Sequence, residues 1–266
     1  MDGIGFPVVA DVLLDARGVT KKYGGLTAVD NVSFTVKAGE VFGIAGPNGA
    51  GKTTLFDIVT GMIKSTAGEI ELSGHPIHGK SVHEICHRGI ARTFQLPSVF
   101  DSETVLGNAV IGAHFGVGNP WWSGFRKDSN TLARAERELE FVGLAEKMSA
   151  VAGVLSVFGK KRLMIASALA SEPVMLFLDE PFGGLSPSEI DQLVNLLSRI
   201  RGRGITLVLI EHVMRALMAL SDRVLIMNQG KSLFEGSPAE VMSNEEVMRI
   251  YLGGMSVASL KAGSDD

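Results

Sequence analysis

The sequence predicts an α/β fold with a mostly parallel core sheet. Three observations carry that expectation. A short apolar run, Val41 to Ala45, leads into a glycine-rich loop and then a helical pattern from Lys52. Strand and helix patterns alternate from Val174 to Met227, as parallel βαβ units do. Between about Phe94 and Gly153 the strand signal fades, so a helical segment interrupts the alternation.

The elements follow in order. Val32, Phe34 and Val36 alternate with Ser33 and Thr35, the period of a half-buried strand. Val41 to Ala45 is continuously apolar, as a strand covered on both faces is. A helix is expected from near Lys52 to near Gly61, then a strand from Glu69 to Leu72 closed by Ser73-Gly74. Gly116 to Lys127, with Pro120, Trp121 and Trp122, reads as a loop or subdomain edge. The tryptophan pair could face a partner or pack on its own subdomain. Thr131 to Val142 sets Leu132, Ala135, Leu139 and Val142 at helical spacing, with Arg134, Glu136, Arg137 and Glu138 on the polar remainder. A strand at Val174 to Leu178 precedes a helix at Ser188 to Arg201. Ser186 reads as its N-cap, Pro187 as N1 and Glu189 as the partner in a capping box. Ile190, Leu193, Val194, Leu197 and Ile200 form the stripe this helix buries. A strand at Ile205 to Ile210, a helix at Val213 to Leu220 and a strand at Val224 to Met227 come next. The capping pattern recurs at Ser237-Pro238-Ala239-Glu240 and at Ser243-Asn244-Glu245-Glu246, so two short helices close the fold. The tail after Gly254 is expected to be disordered.

A chain of 266 residues makes one large domain or two small ones. Its 25 basic and 29 acidic residues leave a net charge of −4, which argues against a nucleic-acid partner, whose phosphates need a basic surface. The single cysteine, Cys86, excludes an intrachain disulfide and fits a reducing compartment. No apolar run approaches the ~18 residues of a membrane span. The first residues lack the basic region of a secretory signal.

Two motifs carry chemistry. Gly46-Pro47-Asn48-Gly49-Ala50-Gly51-Lys52-Thr53 matches G-x-x-x-x-G-K-[ST]. Its glycines let backbone N–H groups converge on a β-phosphate, Lys52 reaches the β- and γ-phosphates, and the Thr53 hydroxyl ligates Mg²⁺. The bland alternative is a glycine-rich turn capping a helix. The apolar strand Val174 to Leu178 ends in Asp179-Glu180. Asp179 is placed to hold Mg²⁺ and Glu180 to act as general base on the attacking water. The alternative there is a strand ending in an acidic turn. A rival pattern, His83-Glu84-Ile85-Cys86-His87, matches the zinc-protease motif H-E-x-x-H, but Thr93 stands where the longer pattern wants a third histidine. A solvated helix with two histidines is the favoured reading.

On VTKKYGGLTAVDNVSF, GPNGAGKTT, IARTFQ, LFLDEPFGGLSP, LVLIEH and EGSPAEVM, in that order, the chain resembles the ATP-binding subunits of ABC transporters. More narrowly, it resembles the ATPase subunits of branched-chain amino acid importers. The resemblance spans roughly residues 12–254, with residues 1–11 as an extension and 255–266 as the tail. It implies a P-loop NTPase of ABC type, with an antiparallel β subdomain and a helical insertion at about 96–153 that docks on a permease. ATP with Mg²⁺ would be bound by Tyr23, stacked on adenine, and by Gly46, Asn48, Gly49, Gly51, Lys52, Thr53 and Thr54. Gln95 would contact Mg²⁺ and water, and His212 would contact the γ-phosphate. The chain would act at the cytoplasmic face of the inner membrane, with separate permease subunits, a second ATPase subunit and, indirectly, a solute receptor. A non-transport ABC ATPase and a weakly hydrolysing regulatory subunit are the alternatives.

Three positions depart from the family. Its L-S-G-G-Q signature, which reaches across a dimer to the partner's γ-phosphate, reads Leu155-Ser156-Val157-Phe158-Gly159 here, followed by Lys160, Lys161 and Arg162. A phenyl ring at Phe158 is expected to obstruct the trans contact of Ser156 and Gly159. Ser186 replaces the usual aspartate of the next loop, and Val213 follows His212 where aspartate is usual. A weakened signature beside intact nucleotide residues favours an asymmetric heterodimer, with a homodimer as the simpler alternative. Lys160, Lys161 and Arg162 are expected on a solvated helix face. The transported solute is not legible, because the ATPase never touches it.

Overall fold

A computed structural model describes residues 12–116 and 129–252. The chain opens with two long antiparallel strands, β1 (Val12–Tyr23) and β2 (Leu26–Lys37), joined at Gly24-Gly25. β3 (Val41–Ala45) follows, then the glycine-rich loop and α1 (Lys52–Val59). β4 (Ala67–Leu72) and β5 (His75–Pro76) form a hairpin turned by Ser73 and Gly74, both at positive φ, as a two-residue hairpin loop requires. Next come α2 (Val82–Cys86) and β6 (Ile90–Thr93). The described helices between β6 and the next strand are α3 (Val105–His114), α4 (Ser129–Phe141) and α5 (Val157–Ala170), with 3₁₀ turns at Ala145–Lys147 and Ala152–Val154. The last third alternates: β7 (Met175–Asp179), α6 (Pro187–Gly202), β8 (Thr206–Ile210), α7 (Met214–Leu220), β9 (Arg223–Asn228). β10 (Lys231–Gly236), α8 (Pro238–Ser243) and α9 (Glu245–Leu252) complete the described chain.

The strands form two sheets, ordered β2-β1-β4-β5 and β10-β9-β3-β8-β7-β6. The first is antiparallel throughout. In the second, β9, β3, β8, β7 and β6 are parallel and only β10 runs against them. The second sheet separates two apolar cores. Leu176 and Leu178 pack with the helices on one face, while Met175 and Phe177 pack towards the first sheet and α1 on the other. Both faces are dry, which is why β3 and the stretches Met175–Leu178 of β7 and Leu207–Ile210 of β8 are continuously apolar.

Sequence and structure differ in places. The capping boxes at Ser186 and Ser237 form, but α9 is capped by Asn244, whose Oδ1 accepts from the Val247 N–H at 3.0 Å. Ser243 ends α8 instead, its hydroxyl donating to the Glu240 carbonyl. On α6 Leu193, Leu197 and Ile200 are buried as expected, joined by Leu196, while Ile190 and Val194 are only partly covered. Glu138, expected on the wet face of α4, is fully buried. Trp121 and Trp122, the N-terminal extension and the tail lie outside the described residues.

Candidate functional site

The phosphate loop runs from the end of β3 into α1. It is pressed so closely between β2 and β9 that a side chain would not fit. A Cβ on Gly46, at φ +151, would lie 2.2 Å from the Met227 carbonyl oxygen, and one on Gly51, at φ +94, 2.3 Å from that of Ala28. α1 starts at Gly51 with no side chain capping it, whereas serines cap α5, α6 and α8. Its first N–H groups are therefore available to an anion. Lys52 is buried and donates to the carbonyls of Gly46 at 2.7 Å and Pro47 at 3.0 Å. Burial pulls its pKa down, against the opposing pull of Glu180 and Asp179. Asn48, Gly49, Gly51, Lys52, Thr53 and Thr54 line a cleft of about 450 Å³, closed by Leu26 to Ala28 of β2, by Glu180, and by Gln229-Gly230.

β7 delivers the two carboxylates. Asp179 is buried, which raises its pKa, while Arg92 Nη2, 2.9 Å from Oδ2, acts against that rise. Glu180 sits at φ +45, a left-handed conformation uncommon for a non-glycine residue. Three bonds hold it there. Its N–H donates to the Ile210 carbonyl at 2.9 Å, and its own carbonyl accepts from Lys161 Nζ at 3.2 Å and from the Gly183 N–H at 3.3 Å. So turned, its Oε2 accepts from Gln95 Nε2 at 2.6 Å and lies 3.6 Å from His212 Nδ1. Three residues drawn from distant motifs thus meet beside the phosphate loop. The turn carrying His212 is fixed by Glu211, which is fully buried and accepts the N–H groups of Phe182, His212 and Val213 at 2.8, 3.0 and 3.0 Å.

Other predicted residues are placed differently. Tyr23 ends β1, half-exposed, with Lys21 Nζ 4.9 Å from its ring centroid; the nearby cleft wall is Leu26 to Ala28. Ser156 caps α5 by accepting the Gly159 N–H at 3.1 Å, and neither residue lines the cleft. Phe158 corrects an expectation. Its ring is 7% exposed, packed in the helical core with the Arg162 guanidinium 4.5 Å from its centroid. It turns inward rather than over the helix N-terminus, and Val157 is the exposed side chain there. Lys161 is likewise buried, not on a wet face, while Lys160 pairs with Asp101 at 2.7 Å. In the rival motif, Glu84 Oε2 accepts the Ser81 N–H and hydroxyl, both at 2.9 Å, which completes the α2 capping box and lowers its pKa to about 2. His83 and His87 pack edge to face at 4.3 Å, and no cluster of three metal-binding side chains occurs among the described residues. Arg92 and Glu211 escaped the sequence reading, and Lys161 was assigned to the wrong environment. Arg92 and Glu211 stand inside the quoted motifs IARTFQ and LVLIEH, but their partners are remote in sequence.

The donors fit Mg²⁺-nucleotide. Thr53, Gln95 and Asp179 offer hard oxygens, and the glycine cradle at Gly46 and Gly51 has no space for a side chain. Residues 29–183 match the ABC transporter family, and residues 231–255 match the branched-chain amino acid ATP-binding cassette transporter family. The chain is 37% identical over 250 residues to the high-affinity branched-chain amino acid transport ATP-binding protein BraF of Pseudomonas aeruginosa, covering 91% of this chain and 98% of that one. It superimposes on the ADP conformation of MJ1267, an ATP-binding cassette of an ABC transporter, with a TM-score of 0.84 at 32% identity, over 92% of this chain and 100% of that one. The dimeric structure of MJ0796, a bacterial ABC transporter cassette, gives 0.74 at 25% identity, over 85% and 98%. With the phosphate loop, the acidic strand end and the histidine turn assembled as they are, this chain belongs to the ATP-binding subunits of ABC transporters.

Proposed function

We propose that this chain hydrolyses ATP to drive an importer for branched-chain or chemically related amino acids; its relative BraF is a high-affinity branched-chain amino acid transport ATP-binding protein. The observation that carries the hydrolytic part is the cluster of Glu180, Gln95 and His212 around one carboxylate oxygen beside the phosphate loop. In this reading Lys52 and the loop N–H groups hold the phosphates, and the Tyr23 ring takes the adenine. Thr53, Asp179 and Gln95 would hold Mg²⁺, which when bound offsets the charge of the phosphate oxygens. Glu180 takes the proton of the water whose oxygen attacks the γ-phosphorus, while the bond to the bridging oxygen breaks and ADP leaves. His212 steadies the γ-phosphate, and Gln95 fixes the water against Glu180.

The partners follow from surfaces. No helix of the described residues is long and apolar enough to cross a membrane, so separate permease subunits would supply the path. A mostly apolar groove of about 340 Å³, lined by Phe94, Phe100, Ile111, Phe115 and Met164, is the surface we assign to them. In this reading the chain would sit peripherally at the cytoplasmic membrane face. The N-terminus of α5, capped by Ser156, would meet the nucleotide of a second ATPase subunit. The inward packing of Phe158 supports an unobstructed contact there.

Steady-state ATPase assays on the purified chain test the reading. Glu180→Gln should lose turnover by about 10²–10⁴-fold, the contribution of a positioned general base, while retaining ATP in a binding assay. Wild-type protein that binds ATP but shows no turnover above Glu180→Gln, with or without permease, would instead identify a regulatory nucleotide binder.

A further inference from the structure

One side chain links the groove to the carboxylate strand of the nucleotide site. Arg92 lines the groove, yet its guanidinium reaches the carboxylate at the end of β7. The strand register explains the reach. Arg92 on β6 lies beside Phe177 on β7, two residues before Asp179. Nη2 donates to Asp179 Oδ2 at 2.9 Å, and Nη1 donates to Asp57 Oδ1 at 2.6 Å and to Thr60 Oγ1 at 3.0 Å. Asp57 and Thr60 belong to the helix that follows the phosphate loop and to its end. One planar fork therefore clamps the phosphate-loop helix to the carboxylate strand, a geometry an ammonium group cannot reproduce.

The other end of this clamp faces the groove. The guanidinium lies 5.2 Å from the ring centroid of Phe94 and 5.6 Å from that of Phe56. Phe56 is fully buried, but Phe94 is 42% exposed and lines the groove. The Arg92 side chain itself keeps only 8% of its surface in water, so its charge is little screened. A body seated in the groove would touch Phe94 among its exposed lining residues. Any shift of that ring changes the packing of the cation that holds Asp179. Oδ2 is taken by Arg92, which leaves Oδ1 to the metal shell.

We propose that Arg92 is a positioning residue, and that the chain Phe94–Arg92–Asp179 transmits occupancy of the groove to the metal-holding carboxylate. The proposal rests on the assignment of cleft and groove given above. It also accounts for a buried arginine only three residues before Gln95: β6 sets a cation behind the carboxylate, and the chain just past its end sets an amide in front of Glu180.

A double-mutant cycle on metal affinity tests it. Mn²⁺ replaces Mg²⁺, and electron paramagnetic resonance measures its affinity for the full-length, ADP-loaded chain. Phe94→Leu alters the groove end without touching a metal donor. It should shift Mn²⁺ affinity by about threefold or more, the size of coupling expected between neighbours in one network. In an Arg92→Lys background the same substitution should produce no shift. Asp57→Asn, which loosens the other arm of the fork, should reduce the shift as well and serves if Arg92→Lys folds poorly. Arg92 acting only as a structural pin would lower the melting temperature and leave the Phe94→Leu shift intact, and that result overturns the proposal. So does a Phe94→Leu protein that binds Mn²⁺ as wild type does. Asp179→Asn separates the two levels: it should weaken Mn²⁺ by about tenfold or more, at least what loss of an outer-shell partner costs. Wild-type affinity in Asp179→Asn would refute the metal assignment itself, and the relay with it.

Discussion

Glu180 and Phe158 show how much a single side chain's direction decides. Glu180 accepts a left-handed backbone, and that turn aims its carboxylate at Gln95 and His212 instead of along the strand. Strain at such a position costs on the order of 1–3 kcal/mol and persists only where neighbours over-determine it. Here the Ile210 carbonyl and Lys161 do so. Phe158 is the opposite case. In sequence it stands where a relative has glycine, so a blocked contact was the natural expectation. Its ring instead fills the core under Arg162. Phe158→Gly then opens a cavity rather than a binding surface. The variant should lose about 3–5 kcal/mol of stability, read as a lower denaturant midpoint, with no gain in turnover per folded molecule. A rise in turnover with unchanged stability would restore the obstructing ring. The identity of residue 158 was legible; the face it takes on α5 was not, because that depends on α3 and α4 packed against it.

At the scale of elements, the phosphate loop and the βαβ alternation were readable because their causes are local. A glycine requirement, a capping box and a two-sided apolar strand each sit within a few residues. Long-range pairs leave no such trace. Glu138 on α4 fits the polar side of the helical pattern, yet it is buried, because Arg203, just past the end of α6, forks onto both carboxylate oxygens at 2.5 and 2.8 Å. Arg137 adds a third bond at 2.9 Å. This cluster fastens the helical insertion to the sheet-bearing part. Burial raises the Glu138 pKa, but the bonds from Arg203 and Arg137 outweigh it and leave the net value below the usual carboxylate range. A depressed folded pKa gives stability that is present above the unfolded value, near 4.3, and lost as pH falls through the folded one. Glu138→Ala should therefore cost about 3 kcal/mol at neutral pH, the low end for breaking a buried pair, since Arg203 keeps a third of its side-chain surface in water. Chemical denaturation at pH 7 and below pH 4 should show the deficit narrowing in acid. A deficit that is constant with pH would mean the pair contributes packing alone.

The whole molecule assembles its site by strand order. β3, β8, β7 and β6 lie side by side and parallel, so their C-terminal ends share one edge of the sheet. From that edge come the phosphate loop, His212, Asp179 with Glu180, and Gln95, which is where open α/β sheets take ligands. The α5 N-terminus, with Ser156 and the exposed Val157, stands apart from this cleft. A single chain thus offers a phosphate-binding edge and, apart from it, the capped α5 end, and a head-to-tail pair would bring each edge against the other chain's α5. Hydrolysis would dissolve the pair, so the variant that retains ATP is the one to examine. Sedimentation velocity on Glu180→Gln should give a monomer with ADP and a dimer with Mg²⁺ and ATP. Ser156→Arg in the same background, which places a bulky cation at the helix end, should keep it monomeric with ATP still bound. If Glu180→Gln stays monomeric in ATP, self-pairing is excluded. A second, different ATPase subunit, the asymmetric assembly, is then the pairing to test by co-purification with the permease.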